Sequence, residues 1–256
     1  MTSRETRHLD TRHLGRSILL FDEVRSTNDL AASMAHDADF GGMVFVAGHQ
    51  SQGRGQYGRL WQARPGASLL MSVLLFPPPE LRRPAILTAW AAVGVAEAIA
   101  DLADAPVHIK WPNDLLVSGR KICGILIEQS GAVVIGIGLN LNQTAEEFAA
   151  NGLLEATSLG IVLGKAPDPA PVLEAVVHRL DEWYDRLLWG DLVTLQSAWK
   201  QRLGLLGRPV RVDLADGTTR FGRLRDMTFY GVELETGGYT ADTIRPELIR
   251  GLGAVS

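Results

Sequence analysis

The chain has 256 residues, of which 46% are hydrophobic and 21% charged, with one cysteine and a formal charge of −4. These proportions exclude extensive disorder, a collagen and a disulfide scaffold, and they allow one or two domains with a sizeable core. The acidic balance argues against a general nucleic-acid binder.

Residues 1–17 are rich in Arg, His and Asp and lack an apolar h-region, so they read as a tail and not as a secretory signal. A cytoplasmic location is the default expectation. Ile18-Leu19-Leu20-Phe21 reads as the first strand. Ser26-Thr27-Asn28-Asp29 offers helix N-cap chemistry ahead of Leu30 to Met34. Met43 to Gly48 reads as a buried strand and Leu69 to Phe76 as another strand, closed by Pro77-Pro78-Pro79, with Ser51 to Arg59 a Gly/Arg/Gln loop between them. Ala85 to Leu102 has helical composition. The apolar run Pro84 to Ala100 contains Glu97 and is too short and Ala-rich for a membrane span. Val107 to Trp111 is a short strand stopped by Pro112. Leu115 to Val117 and Lys121 to Glu128 form a hairpin, with Ala132 to Asn140 as its antiparallel neighbour. Pro171 to Leu188 and Leu192 to Leu203 are helices. After Gly207, short strands at Val210-Arg211-Val212, Thr219 to Gly222, Gly231 to Glu235 and Tyr239-Thr240-Ala241 suggest a small β-barrel. A boundary is expected near residue 205.

Three segments carry candidate chemistry. Gly53-Arg54-Gly55-Gln56-Tyr57-Gly58 fits G-x-G-x-x-G. However, Pro65-Gly66 follows where a dinucleotide fold needs a helix, and no βαβ unit continues. The loop then reads either as an anion cradle using Arg54 and Arg59 or as a solvated surface loop. The second segment is Lys110-Trp111-Pro112-Asn113-Asp114 with Arg120-Lys121-Ile122-Cys123-Gly124. Asn113 and Asp114 either cap a turn or meet a nucleotide. Strand alternation groups Lys121 with Cys123, Ile125 and Ile127, its ammonium facing a cleft. Cys123 itself reads as a small core residue. In the third segment Gly136, Gly138 and Asn140 share one strand face. Two glycines there leave a bare floor that a ligand or another backbone can approach. Lysine is scarce (Lys110, Lys121, Lys165 and Lys200 against 21 Arg), which compositional bias explains, yet two of the four fall in the second segment. The six histidines show no metal-ligand spacing, and no G-x-S-x-G elbow occurs.

Taken in order with Ser26-Thr27-Asn28, these segments resemble the biotin–protein ligases, from about Ile18 to about Gly251. The resemblance implies an α+β catalytic domain with a mixed/antiparallel sheet, of the class II aminoacyl-tRNA synthetase and biotin synthetase-like type, followed by a C-terminal SH3-like β-barrel. The division is then a tail (1–17), a catalytic biotin- and ATP-binding domain (18–204) and the C-terminal domain (205–256). It implies activation of biotin by ATP to biotinyl-5′-adenylate, then transfer to a lysine of a biotin carboxyl carrier protein. By the same resemblance Lys121 and Arg54 are catalytic. Ser26, Thr27, Asn28, Gln50, Arg54, Gly55, Gln56, Lys121, Gly124, Gly136 and Gly138 bind biotin. Arg54, Arg59, Trp61, Lys110, Asn113, Asp114, Lys121 and Asn140 serve ATP or the adenylate. Mg2+ accompanies ATP, near Asp114, and no other metal is expected. A homodimer through an edge sheet is compatible with the family, and no membrane is involved.

Two features depart from the family. Gln56 stands where many members have Arg, and losing a charge-assisted hydrogen bond there costs roughly 1.5–3 kcal/mol. Leakier retention of the adenylate is the hypothesis that follows. Only about 17 residues precede the first strand, which leaves no room for a helix-turn-helix domain, so no operator binding is expected. The competing readings are a lipoate–protein ligase and a non-catalytic carrier-binding module.

Overall fold

The computed structural model describes residues 4–237 and 241–255. In chain order it contains β1 (Glu5–Arg7), β2 (Ile18–Val24), α1 (Thr27–Ser33), β3 (Val44–Gln50), β4 (Ser68–Leu75) and α2 (Pro84–Ala103). There follow β5 (Val107–Lys110), β6 (Asp114–Val117), β7 (Arg120–Ser130), β8 (Ala132–Asn140), α3 (Ala145–Ala150), α4 (Leu159–Leu163), α5 (Pro169–Leu188) and α6 (Leu192–Leu203). The last elements are β9 (Pro209–Leu214), β10 (Thr219–Met227), β11 (Val232–Glu235), β12 (Ala241–Ile244) and β13 (Ile249–Ala254). Eight strands form one sheet in the order β1-β2-β3-β4-β8-β7-β6-β5, and five form a second in the order β12-β11-β10-β9-β13. The first sheet is mixed: β2 and β3 run parallel, joined through α1, and the remaining pairs are antiparallel. The second is antiparallel throughout.

Alternation along the strands divides the large sheet into two faces. Val44 and Val46 of β3, Leu69, Met71 and Val73 of β4, and Ile135, Ile137 and Leu139 of β8 join the main core with α2 and α5. The intervening Phe45, Ala47, Leu74 and Val134 join a smaller cluster with Ala31 of α1. The face carrying that smaller cluster is only partly covered, and its uncovered part holds the pocket. α2 is apolar enough to cross a membrane by length and composition, but Ile86, Leu87, Trp90, Val93 and Ile99 along it are fully buried against the sheet and α5. Its Trp90 Nε1 donates to the Leu180 carbonyl at 3.1 Å.

Two regions depart from expectation. Within the segment read as a tail, β1 pairs with β2 and Leu14 is fully buried. The buried Asp181 carboxylate of α5 accepts from the backbone N–H groups of Arg12, His13 and Leu14 at 2.8, 2.7 and 2.8 Å. A sequence pattern without apolar periodicity hid this anchor, because the acceptor lies more than 160 residues away. α3 and α4 were also not expected. A capping box of Thr144 and Glu147 opens α3, a signal the sequence did carry.

The second sheet fits the short strands expected after Gly207, with β13 as an unforeseen partner of β9. The strand expected at Tyr239-Thr240-Ala241 falls mostly outside the described residues. Trp111, Trp199 and Phe229 stack in series at 5.7 and 5.4 Å, and Trp111 Nε1 donates to the Ile249 carbonyl at 3.3 Å. The two sheets therefore share one aromatic contact that reaches the turn between β5 and β6.

Replacing Asp181 by Ala leaves three backbone donors without their acceptor. The expected cost is about 3 kcal/mol. Urea unfolding should show a lower midpoint with an unchanged slope.

Candidate functional site

Three glycines on adjacent strands make the floor of a cavity of about 720 Å³. Gly124 of β7 pairs with Gly138 of β8, and Gly136 lies two residues along the same face. The floor is not bare. A Cβ on Gly136 would lie 2.3 Å from Asn28 Oδ1, and one on Gly138 would lie 2.6 Å from the Trp61 ring. The close approach that the glycines permit is thus made by the protein's own amide and indole. Trp61, expected as a cover for the adenylate, lies on the floor itself, and its Nε1 has no partner among the described residues.

The position of Lys121 corrects the simple alternation. Leu115 pairs with Cys123 and Leu116 with Lys121, so Ile122 is an extra residue in β7. Ile122 and Cys123 are consequently both fully buried. Lys121 moves to the face of Gly124, whose Cβ would lie 3.3 Å from Nζ. The ammonium pairs with Asp114 at 2.6 Å and stands 5.7 Å from the centre of the Trp61 ring. Its backbone is also fixed: Lys121 N–H donates to the Glu155 carbonyl at 2.7 Å, and Thr157 N–H donates to the Lys121 carbonyl at 2.8 Å. Burial pushes the Cys123 thiol up from its ordinary value, as expected of an inert core cysteine.

A chain of hydrogen bonds runs beneath the glycine loop. Gln50 Oε1 accepts from the Thr27 N–H at 2.7 Å. Ser72 Oγ lies 2.7 Å from Thr27 Oγ1 and 2.6 Å from Asn28 Oδ1. Asn28 Nδ2 donates to Glu128 at 2.7 Å. Arg54 Nη2 meets Asp29 at 2.6 Å and both oxygens of Glu128 at 3.3 Å. The Asp29 hydrogen bond raises the Arg54 pKa, and Arg54 holds the Asp29 carboxyl below its ordinary range. Ser26 sits at the N-cap position of α1 but its side chain makes no capping bond. Sequence reasoning missed Ser72, Asp29 and Glu128. Glu128 carried the one available signal, since it shares strand parity with Gly124.

The remaining expected residues divide clearly. Gly55, Gln56, Arg59 and Lys110 line the cavity, and Arg59 and Lys110 make no ion pair among the described residues. Asn113 holds the turn, donating from Nδ2 to the Ile125 carbonyl at 2.6 Å. Asn140 lines the cavity too, but its Nδ2 donates to the Thr157 carbonyl at 3.0 Å and its Oδ1 accepts from Gln143 at 3.1 Å. Arg250 of β13 also reaches the cavity, 5.9 Å from the Tyr57 ring centre, and nothing in the sequence marked it. Arg54, Arg59, Lys110, Lys121 and Arg250 thus face a lining whose acidic residues are Asp114 and Glu155. Such an excess of fixed cations suits two anions held side by side.

The family model for the biotin/lipoate A/B protein ligase family matches residues 20–142. The biotin--[acetyl-CoA-carboxylase] ligase of Mycobacterium tuberculosis is 34% identical over 224 residues, covering 84% of this chain and 82% of that protein. The bifunctional ligase/repressor BirA of Bacillus subtilis is 31% identical over 233 residues, covering 88% of this chain and 68% of that protein. Among solved structures, the biotin protein ligase from Aquifex aeolicus in complex with biotin and ATP matches with a TM-score of 0.76 and 26% identity. That match covers 93% of this chain and 99% of the other.

A methyl group at Gly138 must push the indole off the floor, because the ring is rigid. In Gly138→Ala the Trp61 indole N–H resonance should shift, while Gly253→Ala, where nothing lies within 4 Å, should leave it in place.

Proposed function

The chain belongs to the biotin protein ligase family, a family of enzymes, and from that premise we propose that its cavity forms biotinyl-5′-adenylate and passes biotin to a lysine of a biotin carboxyl carrier protein. The observation that carries this proposal is the cation cluster over the glycine floor, with Lys121 between Asp114 and Trp61.

In the first step a biotin carboxylate oxygen bonds to the α-phosphorus of ATP, and the bond to the β-phosphate oxygen breaks, releasing pyrophosphate. Two anions must approach each other, and Lys121 offsets their repulsion. Arg54 serves the same centre through Nε and Nη1, which make no hydrogen bond among the described residues. Arg59 and Lys110 face the phosphates, with Trp61 beside the adenylate. Ser26, Thr27, Asn28 and Gln50 surround the biotin head group above Gly136, with Gly55, Gln56, Gly124 and Gly138 along its length. Asn113, Asp114 and Asn140 border the nucleotide. In the second step the acceptor amine attacks the activated carbonyl, an amide forms, and AMP leaves. Asp114, next to Lys121, is placed to orient that amine. The adenylate is a mixed anhydride, so the glycine loop must exclude water from it.

No group of three or more His, Cys, Asp or Glu residues that could hold a metal occurs among the described residues, and Asp114 is already paired with Lys121. In this reading Mg2+ arrives with the ATP phosphates, which leave it needing only one or two protein carboxylates, and Asp114 is the carboxylate nearest Lys121. The reading extends to a class II synthetase-like catalytic domain over 18–204 after a leading segment 1–17. It further takes the second sheet, within 205–256, as an SH3-like barrel. A cytoplasmic enzyme without operator binding, alone or as a homodimer, completes it.

The test is ATP–pyrophosphate exchange with biotin and with lipoate in parallel. Exchange with biotin alone is expected, and exchange with lipoate alone would move the substrate to the other acid. Lys121→Ala should slow exchange by about 100-fold or more. Gln56→Arg should slow release of the adenylate, and release no slower than in the unaltered protein would remove the case for leakage at Gln56. No specific shift of operator DNA is expected at physiological salt.

A further inference from the structure

Asp29 and Glu128 do not line the cavity, yet both hold groups that do. Glu128 reaches across 74 residues of sequence to Arg54 and across 100 to Asn28. We propose that Asp29 and Glu128 are a positioning pair for the first half-reaction, aligning Arg54 and the Asn28 amide that meet the substrates. The proposal rests on the reading of the cavity as a biotin-adenylating site.

The argument starts from donor and acceptor inventories. An ionised carboxylate only accepts, so Glu128 takes the Nδ2 end of Asn28 and the Oδ1 end must face Ser72. Ser72 has a single hydroxyl proton. Once that proton goes to Asn28 Oδ1, Ser72 Oγ can only accept, and the single Thr27 hydroxyl proton has two acceptors in reach, Ser72 Oγ at 2.7 Å and Gln50 Oε1 at 3.0 Å. Gln50 Oε1 takes the Thr27 backbone N–H at 2.7 Å, which fixes the amide orientation of Gln50 independently of Glu128. One carboxylate thus sets the orientation of the Asn28 amide and the direction of the Ser72 hydroxyl beside the biotin end of the cavity.

The second effect is on Arg54. It lies between Gly53 and Gly55, in a stretch that by itself allows the guanidinium many positions. Asp29 and Glu128 hold it through Nη2 alone and leave Nε and Nη1 without a protein partner among the described residues. Fixing the cation before substrate arrives lowers the ordering cost of the reaction. The side chains of Arg54, Asp29 and Glu128 are 36%, 46% and 40% exposed. Ion pairs this open add little stability, so loss of the pair should appear in catalysis and not in the melting temperature.

The division of contacts makes the test specific, because Glu128 hydrogen-bonds both Arg54 and Asn28, whereas among the described residues the Asp29 carboxylate hydrogen-bonds only Arg54. Asp29→Asn should lower kcat for biotin-dependent exchange about tenfold and leave the KM for biotin unchanged. Glu128→Gln should lower kcat similarly and also raise the KM for biotin, since a neutral amide accepts either orientation of Asn28. Neither should alter the melting temperature. Added to Arg54→Ala, Asp29→Asn should have no further effect. Full additivity, or losses that follow the melting temperature, would overturn the assignment. A second readout needs no activity: trypsin should cut after Arg54 faster in unliganded Asp29→Asn and Glu128→Gln than in the unaltered protein. Equal cutting rates overturn the tether even if the unaltered protein fails to exchange, a failure that would sink the adenylation reading separately. Should Glu128→Gln not fold, Asp29→Asn decides through both readouts.

Discussion

Everything at the pocket depends on three missing Cβ atoms. Gly124, Gly136 and Gly138 let the Trp61 indole and the Asn28 amide lie directly on the sheet. That contact brings α1, which precedes β3 in the chain, and the glycine loop, which follows it, down to one floor. A side chain at Gly136 or Gly138 would displace one of them, since its Cβ would lie 2.3 Å from the Asn28 amide or 2.6 Å from the Trp61 ring. The loop cations would then no longer face the same volume as Lys121.

Charge is arranged on that floor with few free ions. Lys121 has Asp114, and Arg54 has Asp29 and Glu128, whereas Arg59 and Lys110 line the cavity with no ion pair among the described residues. A paired lysine stays in one place at modest cost to its reactivity with an anion, because the partner carboxylate occupies only part of its donor capacity. The second sheet takes part as well. Arg250 reaches the cavity mouth, and the Trp111–Trp199–Phe229 stack braces the turn that carries Asn113 and Asp114.

Much of the architecture was legible because the strands alternate cleanly and the long helices are continuous. The hairpin of β6 and β7, its neighbour β8, and the helices α2, α5 and α6 all lie within a few residues of their expected bounds. The short helices α3 and α4 were not, since five or six residues give too little periodicity to register. All of the expected site residues line one cavity. Asn113 and Asn140 do so while bonding to the backbone, so each holds local structure and faces the cavity at once.

The sequence alone determined the residue types of the site and their order, because glycines, paired cations and a Trp-Pro-Asn-Asp turn are local features. It also determined that β8 presents two glycines on one face, which follows from a period of two. Only the tertiary structure decided which face Lys121 occupies, since the extra residue Ile122 is visible solely in the pairing of β7 with β6. It alone joined Glu128 to Asn28 and Arg54, and Asp181 to the leading segment. Hydrogen bonds between groups far apart in the chain leave no periodic trace, and the fold is what brings their partners within reach.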